Sequence, residues 1–452
     1  MAKFDEFKAS VKGKNITVIG IGISNLPLIK FLAENDANVK ACDKRDREKL
    51  GKTYDELANA GVTLCLGENY LKDIDGDVIF KTPGMRYDVP ELLKAKADGA
   101  VVTSETEMLF NVCPSHIIAV TGSDGKTTTT TLIHKMMSEA GYKTWLGGNI
   151  GNPLLTRAGE MKADDWVILE LSSFQLHTMR KSPEIAVITN ISPNHLDVHK
   201  NYREYINAKK NIMLYQSADN VLVTNADNEI TAQIGNEATG EVRYFSRKGN
   251  TFIHLDGDII MRGDTPVLGI SDIKIPGMHN VENYMTAIAA VCGLVDDEVI
   301  RNVAKNFRGV EHRIEHVRTL DGVRYYNSSI DSSPNRTINT LKVFPDKVIM
   351  IAGGADKGIK YDELGSAIVE RVKTLILIGD TADKIEEAYV NAGGGEVKVI
   401  KKFTYADAVE TARHEAQTGD VVLLSPASTS FDMFNNFEER GNLFKELINE
   451  LR

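Results

Sequence analysis

Cysteine is scarce in this chain. Four stand among 452 residues, at Cys42, Cys65, Cys113 and Cys292, and no two form a CxxC pair. That excludes a disulfide framework and a zinc ribbon, and it reads as buried thiols in a reducing compartment. Long apolar runs are missing too. None reaches the roughly 20 residues a membrane-spanning helix needs. The N-terminal stretch MAKFDEFKAS is charged and has no apolar signal core. These absences lead to the expectation of a cytoplasmic protein without membrane insertion. A basic excess is also lacking. Lys and Arg number 53 against 63 Asp and Glu, a formal net charge of -10. Non-specific nucleic-acid binding requires a cationic surface that displaces counterions, so no nucleic-acid partner is expected. A local basic pocket for a phosphorylated small molecule is not excluded.

What is present is ordinary for a globular protein: 42% hydrophobic and 26% charged residues. The length suits two to four domains. Short apolar strands alternate with helical stretches throughout, the pattern of α/β layers with mostly parallel sheets. The first unit has strands at Asn15–Ile19, 38–42 and Val78–Phe80, with a helix at Leu26–Glu34, and its pattern ends near residues 101–105. A second unit opens with His116–Thr121, followed by a glycine loop and a helix over 126–140. Strands at 167–171 and 185–191 follow. Residues 251–275 alternate loosely and carry several Gly and Asp, predicting a small antiparallel patch. A third unit begins near Gly309, with strands at Val323–Asn327, 347–352, 374–378 and Val421–Leu424. Expected boundaries are 1–104, 105–309 and 310–452.

The segment Gly122-Ser123-Asp124-Gly125-Lys126-Thr127 lies between a strand and a helix. Glycines let backbone N–H groups approach phosphate oxygens, and the helix N-terminus favours the negative charge. Lys126 would reach the terminal phosphates and the Thr127 hydroxyl would sit on Mg²⁺. Two residues, not four, separate the glycines, so the strict P-loop pattern is not met. Glu170 ends an apolar strand, where parallel sheets present ligands, and is placed to hold Mg²⁺. His195 follows the next strand and suggests a second metal with a mixed shell. Lys209 falls on a helix and by itself reads as a solvated lysine.

Together these motifs resemble the Mur ligase family, over essentially the whole chain. Thr121-Gly122-Ser123-Asp124-Gly125-Lys126-Thr127 is similar to the family's ATP loop, with its shorter glycine spacing. Glu170-Leu171-Ser172-Ser173-Phe174-Gln175-Leu176 is the strongest match. Gly147-Gly148-Asn149-Ile150-Gly151, Gly277-Met278-His279-Asn280-Val281-Glu282-Asn283, His312-Arg313-Ile314-Glu315 and Gly353-Gly354-Ala355-Asp356-Lys357-Gly358 follow in family order. So do Ser430-Phe431 and Asn436-Phe437-Glu438-Glu439-Arg440-Gly441. The resemblance implies a Rossmann-like N-terminal domain for a UDP substrate, a central P-loop-type ATPase domain and a Rossmann-like C-terminal domain for an amino acid. It implies ATP-dependent addition of D-glutamate to UDP-N-acetylmuramoyl-L-alanine through an acyl phosphate, and a monomer is expected.

The implied sites follow by position. Gly122, Ser123, Asp124, Gly125, Lys126, Thr127, Thr128, Asn280, Asn283 and Arg313 would bind ATP. Thr127, Glu170, His195 and Lys209 would hold two Mg²⁺ ions, with Lys209 matching the family's carbamylated lysine. Lys126, His195 and Lys209 would be catalytic. Ile23, Ser24, Asp43, Arg45, Thr82, Gly84 and Asn149 would take the UDP substrate. Lys357, Ser430, Phe431 and Phe437 would take D-glutamate. The chain departs from the family in three places: Ser328 stands where Asn-Asp-Ser is usual, with Asp331 three positions on; Thr82 replaces the usual serine; Asp124 replaces an asparagine. Rival readings are a related ligase adding another amino acid, a folylpolyglutamate synthase, or a non-catalytic nucleotide-binding regulator on the same scaffold.

Overall fold

In the computed structural model, residues 2–72, 74–193 and 198–452 are described. The chain forms two compact units, residues 1–272 with 281–303, and residues 273–280 with 304–452. The fold is α/β, with three mostly parallel sheets.

The first sheet collects Asn15–Ile19 (β1), Asn38–Asp43 (β2), Thr63–Leu66 (β3), Val78–Phe80 (β4) and Val101–Thr103 (β5) in the order β3-β2-β1-β4-β5. All its pairings are parallel. Its central strand reads NITVI and buries four of five residues, as a strand covered on both faces must. The helix Leu26–Glu34 turns Leu28, Ile29 and Leu32 inward, a one-sided helical stripe.

The second sheet, in the same unit, holds His116–Thr121 (β6), Thr144–Gly148 (β7), Trp166–Glu170 (β8), Ile185–Ile188 (β9), Val221–Asn225 (β10), Glu241–Ser246 (β11), Ile253–Asp256 (β12), Ile259–Arg262 (β13) and Thr265–Gly269 (β14). Its order is β14-β13-β12-β11-β10-β9-β6-β8-β7. Pairing is parallel from β7 to β12 and antiparallel through β13 and β14, so the loosely alternating segment does form an antiparallel patch. The chain leaves β8 on one side of β6 and re-enters as β9 on the other. Strand order reverses at β6, and such a switch opens a crevice at the carboxyl ends.

The second unit carries the third sheet: Glu315–Leu320 (β15), Val323–Asn327 (β16), Val348–Ala352 (β17), Val372–Leu377 (β18), Lys398–Lys401 (β19) and Val421–Leu424 (β20), in the order β15-β16-β20-β17-β18-β19. Only β15 runs antiparallel to its neighbour there. Arg440 is fully buried and donates to Ser329 Oγ, Ser329 O and Ser428 O at 2.8–3.0 Å, tying the end of β16 to the 428–430 loop.

Two expectations change. Strand β9 stops at Ile188 instead of continuing to 191, because Thr189 and Asn190 turn their side chains onto the glycine loop. Of the cysteines, Cys42 is buried and the other three are partly exposed; all four are free thiols.

Gly148 ends β7 at φ 88°, and a Cβ there would lie 2.3 Å from the Glu170 carbonyl oxygen. Backbone, not a flexible side chain, blocks the space. Gly148→Ala is therefore expected to cost about 2 kcal/mol or more, read as a lower urea midpoint than wild type. An unchanged midpoint would contradict this packing.

Candidate active site

The loop after β6 is built from backbone. Gly122 and Gly125 adopt φ 150° and 77°. A Cβ on Gly122 would meet Thr189 Oγ1 at 1.9 Å, and one on Gly125 would meet Asn283 Oδ1 at 2.3 Å, so both positions require glycine. Gly125 immediately precedes the helix Lys126–Glu139. Its N-terminus thus faces the crevice, where Thr127 and Thr128 are half-buried. Lys126 Nζ donates to Ser123 O at 2.9 Å, folding the lysine back over the loop.

Neighbouring elements clamp that loop. Thr189 Oγ1 donates to Asp124 O at 2.6 Å, and Asn190 Oδ1 accepts from Asp124 N at 3.0 Å. Ser123 Oγ lies 2.9 Å from Tyr205 Oη, donates to Ser192 O and accepts from Ser192 N. Sequence reasoning did not pick out Thr189, Asn190 or Tyr205. The polar run directly after the β9 apolar run was the available signal. The Asp124 side chain is exposed.

Glu170 ends β8, 2% exposed. Its Oε1 accepts from Asn149 Nδ2 at 2.7 Å, so two candidate residues meet. Among the described residues, no hydrogen-bond donor reaches its buried Oε2. An orphaned buried carboxylate oxygen is costly unless something positive completes it. Among the described residues, Glu170 therefore fits a hard cation taking oxygen ligands. His195 lies outside the described residues.

Lys209 is on the helix Tyr202–Lys210, and it is not solvated: it is 2% exposed. Its Nζ donates to Gly122 O at 2.6 Å and lies 4.7 Å from the Tyr205 ring centroid. Burial pushes its pKa well below 10.5, with Lys126 acting in the same direction and Glu170 and Asp124 against it. The amine is thereby biased toward its uncharged, nucleophilic form.

The first-sheet candidates converge separately. Asp43 accepts from Ile21 N at 2.7 Å and from Arg45 Nε and Nη2 at 2.9 Å. Burial alone would raise its pKa, but the Arg45 side chain and the backbone donors outweigh it and the net shift is downward. Thr82 packs on Gly20, where a Cβ would be 2.9 Å from Thr82 Cβ. Ile23 is 74% exposed, Ser24 half-buried and Gly84 exposed.

In the second unit, Lys357 Nζ stands 4.9 Å over the exposed Phe431 ring, and Ser430 is buried beside it. A bridge between Ala355 and Thr429 brings these two loops together. Phe437 stacks edge-on to His312 at 5.9 Å. Asn280 donates to Pro276 O at 2.6 Å. Arg313 sits in a turn flanked by His312 at φ 61° and Ile314 at φ 46°, and Ile314 N donates to Ser328 Oγ at 3.2 Å. Asp331 is 4% exposed and accepts from Ser425 Oγ at 2.7 Å, so its carboxylate is turned into the interior. Asn283, in the first unit, lies 3.3 Å from Thr129 Oγ1.

A glycine loop at a helix N-terminus, an acidic strand end beside it and a buried lysine behind it form, on an α/β scaffold, an arrangement suited to a phosphate and a cation. Comparison with known proteins gives the family. The Mur ligase MurD-like N-terminal domain matches residues 14–104, the Mur ligase middle domain 120–291, and the Mur ligase glutamate ligase domain 312–428. The chain belongs to the Mur ligase family. It is 54% identical to the UDP-N-acetylmuramoylalanine–D-glutamate ligase of Ruminiclostridium cellulolyticum, over 100% of this chain and 99% of that one. It is also 54% identical to the protein of that name from Acetivibrio thermocellus, over 99% of each chain. Among solved structures, the fold is similar to UDP-N-acetylmuramate-alanine ligase MurC from Thermotoga maritima (TM-score 0.59, 20% identity, 96% of this chain and 99% of that one). It is likewise similar to MurF from Acinetobacter baumannii (TM-score 0.58, 15% identity, 98% and 92%).

The depressed Lys209 pKa sets a pH dependence. An unfolded chain keeps that proton up to about 10.5, whereas the folded one releases it earlier. Stability referred to this group rises with pH across the interval below 10.5 and is lost as pH falls through the folded value. Urea unfolding is expected to show wild type gaining on Lys209→Met between neutral pH and pH ~10. Parallel pH curves for the two proteins would contradict it.

Proposed function

We propose that the chain is an ATP-dependent ligase that joins D-glutamate to UDP-N-acetylmuramoyl-L-alanine in peptidoglycan precursor synthesis. The observation that carries the reading is the orphaned Glu170 oxygen at the strand end beside the glycine loop. It is supported by relatives of that name at 54% identity over the whole chain.

In this reading the UDP-substrate carboxylate attacks the γ-phosphorus of ATP, giving an acyl phosphate and ADP. The D-glutamate amine then adds to the acyl carbon, and collapse of the tetrahedral adduct releases phosphate and leaves the amide. Backbone N–H groups of residues 122–127, Thr128, Asn280, Asn283 and Arg313 hold the nucleotide, and Lys126 offsets charge on the transferring phosphoryl group. Thr127, Glu170, His195 and a carbamylated Lys209 would hold two Mg²⁺ ions, which supply charge neutralisation at the phosphates. A buried, weakly basic amine suits carbamate formation with CO₂. Ile23, Ser24, Asp43, Arg45, Thr82, Gly84 and Asn149 take the UDP substrate. Lys357, Ser430, Phe431 and Phe437 take D-glutamate, the ammonium facing a carboxylate. We place domain boundaries after residues 104 and 309, and read the protein as a cytoplasmic monomer.

Phosphate release with ATP, Mg²⁺, UDP-N-acetylmuramoyl-L-alanine and single amino acids tests the assignment. Turnover is expected with D-glutamate; turnover with another amino acid alone would overturn the substrate, and none with any would favour a regulator. Lys126→Ala is expected to lower kcat by about 10²-fold or more, and retained turnover would refute its role. Asp124 places a carboxylate where phosphate charge gathers. Asp124→Asn is expected to lower KM for ATP several-fold, and an unchanged KM would remove Asp124 as a determinant.

A further inference from the structure

Behind the active loop lies a second cluster that the proposed reaction does not use. His177 follows the short helix Ser173–Leu176, His199 precedes the helix Tyr202–Lys210, and Glu204 sits in the first turn of that helix. His177 Nε2 is 3.7 Å from Glu204 Oε1, and His199 Nδ1 is 3.6 Å from Glu204 Oε2. One ligand atom from each residue lies within 4.8 Å of the others. We propose that His177, His199 and Glu204 form a binding site for one borderline-soft divalent cation of the Zn²⁺ class.

Three features favour a cation over a plain polar cluster. First, the two histidine–carboxylate spacings are too long for hydrogen bonds, yet one nitrogen from each histidine and one Glu204 oxygen lie close enough for a modest contraction to place them around a shared zinc ion at about 2.0–2.2 Å. Second, His199 is already oriented. Its Nε2 lies 2.9 Å from Ser173 Oγ and its ring stacks on Phe174 at 5.2 Å. A fixed partner on one ring nitrogen, with the other aimed at the metal, is the usual arrangement of an imidazole ligand. Third, access exists. His177 and Glu204 line an open groove of about 430 Å³, a route by which an ion and its water can reach the small cavity of about 10 Å³ that His177 shares with the buried His199.

The surroundings set the strength and the metal. Glu204 accepts from Arg86 Nη1 at 3.1 Å, Arg86 Nη2 at 2.9 Å and Lys200 N at 2.6 Å. These take three of a carboxylate's roughly four lone-pair directions. Arg86 is held independently by Asp88 at 2.7 and 2.9 Å, so it stays in place when Glu204 turns toward a metal. Arg86, Lys200 and the buried Lys81 make the neighbourhood costly for a dication, so binding is moderate, not tight. Two nitrogen donors select Zn²⁺ or Co²⁺ over Mg²⁺.

The test uses chelator-treated full-length protein in millimolar Mg²⁺, without ATP or substrates, titrated with Co²⁺ alone. The expected result is a visible absorption band that saturates at one equivalent and disappears when Zn²⁺ is added. His177→Ala and Glu204→Gln are expected to weaken the band at least tenfold, while His177→Cys, which restores a soft ligand, keeps it. A band of equal midpoint in His177→Ala would place the cobalt elsewhere and overturn the proposal. So would no band in wild type, or loss in His177→Cys equal to that in His177→Ala. Because no turnover is read, the result is independent of whether the chain is a ligase.

Discussion

A carboxylate oxygen of Glu170, buried at the end of β8 without a donor among the described residues, is the constraint around which the first unit is arranged. Leaving such an atom unmatched costs free energy. The fold keeps it there. Asn149 satisfies the other oxygen, and the absence of a side chain at Gly148 lets β7 approach the Glu170 carbonyl. The opposing wall is positive in kind: a helix N-terminus and Lys126. The crevice is thus prepared for phosphate and a hard cation together, each completing what the other lacks.

Lys209 shares that logic. Charged, it would stand in a buried site beside Lys126; neutral, it donates to Gly122 O. The loop glycines serve close approach as much as conformation. Thr189 and Asn283 occupy the space that Cβ atoms at 122 and 125 would need. Strand β9 consequently ends early, because its next residues are committed to the loop.

Much of this was legible in the sequence. Strands β1, β4, β6, β16 and β20 fall where apolar runs predict them, since strands buried on both faces leave continuous hydrophobic stretches. Strands β3, β7 and β19 were not picked out: Thr63–Leu66, Thr144–Gly148 and Lys398–Lys401 are short and only partly buried. Their residues take strand form from the neighbours they pair with, a tertiary effect. At the site, Glu170 and the loop could be placed from strand-end position and glycine spacing. Lys209 could not, because nothing local distinguishes a buried lysine from a solvated one on a helix. Nor could Thr189, Asn190 and Tyr205, whose role is visible only once β6, β9 and the Tyr202–Lys210 helix are side by side.

The central claim is that the carboxylate of the UDP substrate is activated by phosphorylation before the amine attacks. Positional oxygen labelling tests it most directly. With ¹⁸O in the alanyl carboxylate of UDP-N-acetylmuramoyl-L-alanine, turnover with ATP and D-glutamate should place one labelled oxygen in the released phosphate for each amide formed. Amide formation with unlabelled phosphate would contradict the account.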